Sequence, residues 1–233
     1  MKVRIAFLFL LSNILCQSYK ITILGYHATD VTQIIHTPGE IEYIVQNRGL
    51  LDLIWPTNNL YSAKYDSNNF NLISWSKKIQ QGSYKRTLLG KNITNTSISY
   101  DDENIVTITN PIHTILTMLA MVQKFSPENL DTKWFNFEHE GRLGKARFIW
   151  ADSSMAWGGV DSILCDHYRL DISITDSSQN IGEIKDYFMK YIINDNFVRE
   201  LWVSRSKKKQ IILAKLQTPW VSLFAQRNSD KEN

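Results

Sequence analysis

The 233 residues carry 26 Lys and Arg against 23 Asp and Glu, a formal charge of +3, with 43% hydrophobic and 21% charged side chains. That balance excludes a disordered chain and a phosphate-binding basic stripe, and the length supports one domain whose core needs no disulfide staples. The aromatic share of 12% favours sheet, because flat rings fit a pleated, half-buried surface.

Residues 1–18 read as an export signal. Lys2 and Arg4 form a short positive start, Ile5–Leu11 and Ile14-Leu15 an apolar core, and Gln17-Ser18 a polar end. The apolar core is too short to anchor in a bilayer. A lipoprotein signal would also end in a Cys, but Leu15 is large where a small residue belongs before Cys16. Cleavage is therefore expected just after Cys16 or nearby, which leaves Cys165 as the single thiol and no internal disulfide.

Residues 19–228 read as one β-rich domain and 229–233 as a disordered polar tail. Gly39–Gln46 alternates with Ile41, Tyr43 and Val45 on one side, a half-buried strand. Arg48-Gly49 turns the chain into Leu50–Trp55, and Pro56–Asn59 breaks it. Tyr61–Tyr65, Phe70–Lys78, Tyr84–Leu89, Thr96–Tyr100 and Ile105–Thr109 follow as strands, separated by turn formers such as Gln81-Gly82 and Asp101-Asp102. Turn signals every eight to twelve residues predict an antiparallel sheet or barrel-like meander. One amphipathic helix is expected over Pro111–Lys124, capped by Asn110 with Pro111 in its first turn, His113 on its surface, and one face against the sheet. Strands resume at Lys133–Glu138, Lys145–Trp150, Tyr168–Ile174 and Asp186–Ile193. Phe197–Gln226 closes the chain as two or three strands joined by the basic turn Lys207–Lys209, read as solvated, and the Thr218-Pro219 break.

Few residues suggest chemistry. His139 lies between Glu138 and Glu140, a set suited to a metal or to acid–base work, but strand neighbours point to opposite faces and Gly141 follows, so an exposed charged turn is expected. Cys165 near His167 has the composition of a nucleophile pair, yet a Cys buried as a small hydrophobe is the commoner outcome. Asp152-Ser153-Ser154 and Trp157-Gly158-Gly159 read as loop. Asn92-Ile93-Thr94 and Asn95-Thr96-Ser97 match the glycosylation pattern, which matters only in a cell that glycosylates exports. The sequence holds no nucleophile elbow, phosphate loop or His-Glu-x-x-His motif.

The order of these features carries a resemblance: the export signal, Gly39-Glu-Ile-Glu-Tyr43, the mid-chain helix, Gly159-Val-Asp161, Cys165-Asp-His-Tyr-Arg-Leu170, Glu200-Leu-Trp-Val-Ser204 and Lys215-Leu-Gln-Thr-Pro-Trp-Val-Ser222. From Gly39 to Ala225 the chain resembles the domain-of-unknown-function 3108 family of exported bacterial β-rich proteins. It departs from that family at Arg205-Ser206-Lys207, where an acidic turn residue is usual, and at Val221, where Gly is usual. The resemblance implies a curved antiparallel sheet, an envelope location and no established activity or catalytic residues. The expectation is a non-catalytic envelope module, in the periplasm or at the outer membrane, that binds an apolar ligand or an envelope partner, with no metal or cofactor. The alternatives are an envelope hydrolase using Asp152, Cys165, His167 or His139, and an assembly factor for surface lipid or polysaccharide. Peripheral membrane contact is open; nucleic acid is not expected.

Overall fold

The computed structural model describes residues 14–36, 39–179, 181 and 186–229. They build one antiparallel meander, interrupted once. Its first half is β1 (Ile14–Ile23), β2 (Tyr26–His36), β3 (Glu40–Asn47), β4 (Asn58–Tyr65), β5 (Leu72–Gln81), β6 (Tyr84–Thr94), β7 (Ser97–Tyr100) and β8 (Asn104–Thr107). The second half is β9 (Ile112–His113), β10 (Trp134–His139), β11 (Arg142–Trp157), β12 (Ser162–Asp176), β13 (Val198–Ser204), β14 (Ile211–Gln217) and β15 (Ser222–Arg227). The halves meet where the two chain ends pair, with Ile23 opposite Leu223 and Tyr19 opposite Arg227. The result is a single curved sheet in the order β8–β7–β6–β5–β4–β3–β2–β1–β15–β14–β13–β12–β11–β10–β9. All pairings between these strands are antiparallel except β9 with β10.

The mainly-β expectation holds, and several local ones change. Residues 14–18 lie in β1, with Gln17 and Ser18 buried, so the strand overlaps the end of the segment read as an export signal; residues 1–13 fall outside the described residues. Asn228 is buried, and its N–H donates to the Ser18 carbonyl at 2.7 Å, so the final strand is fastened before the tail begins; residues 230–233 lie outside the described ones. The helix is α2 (Ile115–Val122), and it starts later than the Asn110-Pro111 signal suggested. Asn110–Pro111 is a cis peptide that leads into β9, and the cap is a reciprocal Thr114–Thr117 box. His113 is consequently buried in β9 rather than exposed on a helix.

α2 covers one face of the sheet, as expected, and that face is the concave one. Ile115, Leu116, Thr117, Met118, Ala120, Met121 and Val122 are all buried, so the curved sheet wraps around it as a plug. Gln123, at its C-cap, meets Gln17 of β1 and Gln33 of β2 at 3.2 and 3.1 Å. Three shorter helices complete the fold: α1 (Gly49–Ile54), α3 (Pro127–Leu130) and α4 (Tyr187–Ile192). α4 replaces the strand expected over Asp186–Ile193, because Asp186 caps the Met189 N–H at 3.2 Å and starts a turn. α1 occupies most of Leu50–Trp55, the run between the Arg48-Gly49 turn and the Pro56–Asn59 break. Asp152–Ser154 is not loop; it continues β11 past an irregularity at Trp150/Asp152 into a hairpin that turns at Gly158–Asp161.

Candidate functional site

The residues singled out by sequence separate into two groups. On the outer face of β11, β12 and β13, His167 lies between two carboxylates, with Nδ1 3.2 Å from Asp152 and Nε2 3.2 Å from Glu200. Its ring stacks on Trp202, with centroids 4.2 Å apart and planes within 6°. Lys215 holds Glu200 at 2.8 Å, and the Trp202 N–H donates to Ser154 at 3.1 Å. Asp152 and His167 therefore meet, as β11–β12 register requires. Cys165 shares their face but is fully buried beside Ala156 and Ile212, and burial pushes its thiol up to about 11. At neutral pH it is a protonated packing residue, as the sequence suggested.

His139 belongs elsewhere. It pairs with Arg142, whereas His167 pairs with Asp152 ten positions along β11, so the two histidines lie about 30 Å apart along the sheet. Asp152, Cys165, His167 and His139 do not converge in one cleft. Among the described residues no three His, Cys, Asp or Glu side chains come together as a metal site.

The second group lies inside the barrel-like wrap, and here the expectation of an exposed turn fails. Glu138, His139 and Glu140 are all buried. Glu140 and Gly141 form a two-residue hairpin with φ of 52° and 84°, which breaks strand alternation and swings Glu140 inward. Glu140 receives Lys77 of β5 at 2.5 Å. Lys77 also reaches Asp186 at 3.3 Å, and Asp186 accepts from the Tyr61 hydroxyl at 2.9 Å. Asn59 donates to Tyr61 at 3.1 Å. Beside them Glu138 accepts from Tyr100 and from the Gly141 N–H. His139 lies parallel to Trp75, 6.5 Å between centroids.

Burial dominates the titration of this group. It raises the Glu138 carboxyl to about 8, with Glu140 adding a smaller upward push. It lowers His139 to about 3, helped by Arg142 and Lys77. Burial also raises the Tyr61 hydroxyl well above its ordinary range. At neutral pH Glu138 is thus a neutral acid and His139 a neutral imidazole. An enclosed cavity here, lined by Tyr61, Trp75, Lys77, Leu116, His139 and Glu140 among others, measures about 20 Å³, room for about one water molecule. A broader, open depression of about 570 Å³ is lined by Asn69, Asn71, Asn95, Thr96 and Asn110. Those amides are partly committed to structure: Asn71 accepts from the Ile112 N–H at 2.8 Å.

The architecture has a counterpart among solved structures. A β-barrel-like protein of domain of unknown function DUF1849 from Brucella abortus superposes with a TM-score of 0.57, covering 91% of this chain and 94% of that one. At 7% identity the likeness is one of fold alone. No family model matches the chain, and no curated protein matches it. The fold is a β-barrel-like one, built from a single curved sheet.

Sequence reasoning missed the ionic group for an identifiable reason. Lys77 sits in an alternating strand beside Lys78, so charge alone marks both as solvent-facing. The signal available was phase: Trp75 and Ile79 share its face, and both are buried.

Proposed function

We propose that this chain is a non-catalytic module of the cell envelope, exported by its N-terminal segment to the periplasm or the periplasmic side of the outer membrane, where it engages an envelope partner. The resemblance to the domain-of-unknown-function 3108 proteins is part of the same reading. The observation that carries it is the filled interior. α2 occupies the space the sheet encloses, and the enclosed cavity of about 20 Å³ suits a water molecule, not a lipid chain. Work is therefore assigned to the outer surface, and an apolar ligand in the interior is the weaker form of the proposal.

The test is fractionation of a bacterial host expressing the chain, with the N-terminus of the recovered protein sequenced. A chain cleaved near Cys16 and released with the periplasm supports the reading; an uncleaved cytoplasmic chain refutes it. The hydrolase alternative rests on Asp152 and His167 alone. It requires ester or glycoside turnover by purified protein that His167→Gln abolishes.

A further inference from the structure

Strand direction places three connections at one end of the barrel-like wrap. Ile23 and Tyr26 flank the β1–β2 turn, Asn47 and Asn58 bracket α1, and Gln217 and Ser222 bracket the β14–β15 turn; their partners across the sheet all lie at the same end. Each connection projects large apolar side chains into solvent. Leu24 is 78% exposed and Tyr26 79%; on α1, Leu50, Leu53 and Ile54 are 78%, 79% and 81% exposed; Trp220 is 93% exposed. Chains normally keep such residues partly covered, and a cluster of this kind marks an interaction surface.

Behind these tips sits a belt of half-exposed aromatics. Trp55 makes an edge contact with Tyr187 of α4 at 5.0 Å, and Tyr191 stacks on Phe197 at 5.9 Å. The exposed cations Lys85, just past the β5–β6 turn at this end, and Lys190 of α4 make no ion pair among the described residues. Arg48, at the start of α1, is held by Asp30 at 2.6 Å.

We propose that this end docks on a lipid bilayer surface, with the Leu24–Tyr26, Leu50–Ile54 and Trp220 tips entering the headgroup–acyl boundary. It deepens the envelope reading above by naming the partner. The tips project from separate connections instead of walling a groove, so a fluid hydrocarbon surface meets them better than a protein that needs a shape to key into. Aliphatic tips, an aromatic belt and cations follow the order of acyl chain, interface and anionic headgroup.

The test uses the purified full chain and vesicles of phosphatidylethanolamine and phosphatidylglycerol, read by flotation. It is blind to export, so it can fail independently of the localisation proposal. The expected result is flotation of the parent, a roughly tenfold loss of affinity for each of Leu50→Ser, Leu53→Ser and Ile54→Ser, and parent-like binding by the control Met155→Ser/Leu164→Ser. That control alters a solvent-exposed apolar pair, 59% and 46% exposed, on the β11–β12 hairpin at the opposite end. Brominated lipid should quench a component of the tryptophan emission that Trp220→Ser removes. These side chains are exposed, so melting temperatures should not move. The proposal is overturned if the parent stays at the bottom of the gradient. It is also overturned if every variant floats like the parent, which would place binding in another segment such as residues 1–13. Loss of a concentration-dependent dimer in the α1 variants, without flotation, would overturn it in favour of a second copy of the chain.

Discussion

Replacing Glu138 by Gln should change how stability depends on pH more than stability itself. Glu138 is fully buried and accepts from the Gly141 N–H at 2.8 Å and from the Tyr100 hydroxyl. Burial raises its pKa from an ordinary 4.5 to about 8. Between those values the folded protein holds a proton that the unfolded chain has released, so stability falls as pH rises, by about 1.4 kcal/mol per pH unit. Across the whole window the loss is on the order of 5 kcal/mol, and it levels off above about pH 8. Gln has the shape of the protonated acid and keeps the accepting oxygen, but it does not titrate. His139, lowered from 6.5 to about 3, acts in the opposite sense and costs stability as pH falls below 6.5. His113, also lowered by burial, adds to that acid loss. Both histidines are common to parent and variant, so their contributions cancel in the difference. Denaturant unfolding of both proteins from about pH 5 to about pH 8 should show the variant gaining on the parent by about 4 kcal/mol. Parallel curves would mean that Glu138 is already ionised in the fold and would refute the argument.

Other perturbations probe the elements around it. Lys77→Met leaves Glu140 and Asp186 buried with no cation and should cost about 3–5 kcal/mol in chemical denaturation, whereas a lone exposed lysine would cost almost nothing. Met118→Ala opens a hole in the buried plug helix, and a loss of about 2–5 kcal/mol in unfolding free energy is expected. Thr114→Ala removes half of the capping box, with an expected loss of about 1 kcal/mol by the same measurement. Gly141→Ala should do worse than propensity suggests, with a fall in melting temperature. Its φ is 84°, and an added Cβ would lie 1.8 Å from the Gln179 carbonyl oxygen.

Strand-forming segments were legible because period-two burial is a local property. Ile41, Tyr43 and Val45 alternate in sequence and are buried in the structure. The closing stretch Phe197–Gln226 proved to be three strands, β13 to β15. What was not legible was set by contacts distant in sequence. Asn110-Pro111 carries a good helix-start signal, but the pairing of Ile112 with Asn136 keeps the chain extended, and the helix is capped only at Thr114. Lys209 read as solvated; in the fold it donates to the Phe125 carbonyl at 2.9 Å and lies 3.7 Å from buried Asp166, while Lys207 and Lys208 are exposed. The first two strands had no reading of their own, since β1 overlaps the apolar N-terminal run and its partner β15 lies at the other end of the chain.

The buried charges also bear on how an open sheet is held closed. β8 and β9 are its two edges, separated in the chain only by residues 108–111, and they do not pair with each other. The edges are drawn together by side chains: Tyr100 of β7 donates to Glu138 of β10, and the Asn136 amide reaches the Thr109 carbonyl at 3.1 Å. Deeper inside, Lys77, Tyr61 and Asn59 come from the first half of the chain, and Glu140 and Asp186 from the second. Among the described residues the backbone ladder joins the halves only at β1 and β15; the ionic group joins them across the interior. A hydrophobic replacement of the same volume would satisfy burial equally well and could exceed the charges in stability. What it would lack is direction. Lys77 meets its two carboxylates in one register of β5 against the Glu140–Gly141 hairpin, and a two-residue slip would bury all three unpaired. Replacing Lys77 and Glu140 by apolar residues and Asp186 by Asn, which keeps an acceptor for the Tyr61 hydroxyl and the Met189 N–H, should therefore preserve or raise the melting temperature while broadening the amide spectrum. Retention of a single sharp set of resonances would show that α2 packing alone fixes the closure.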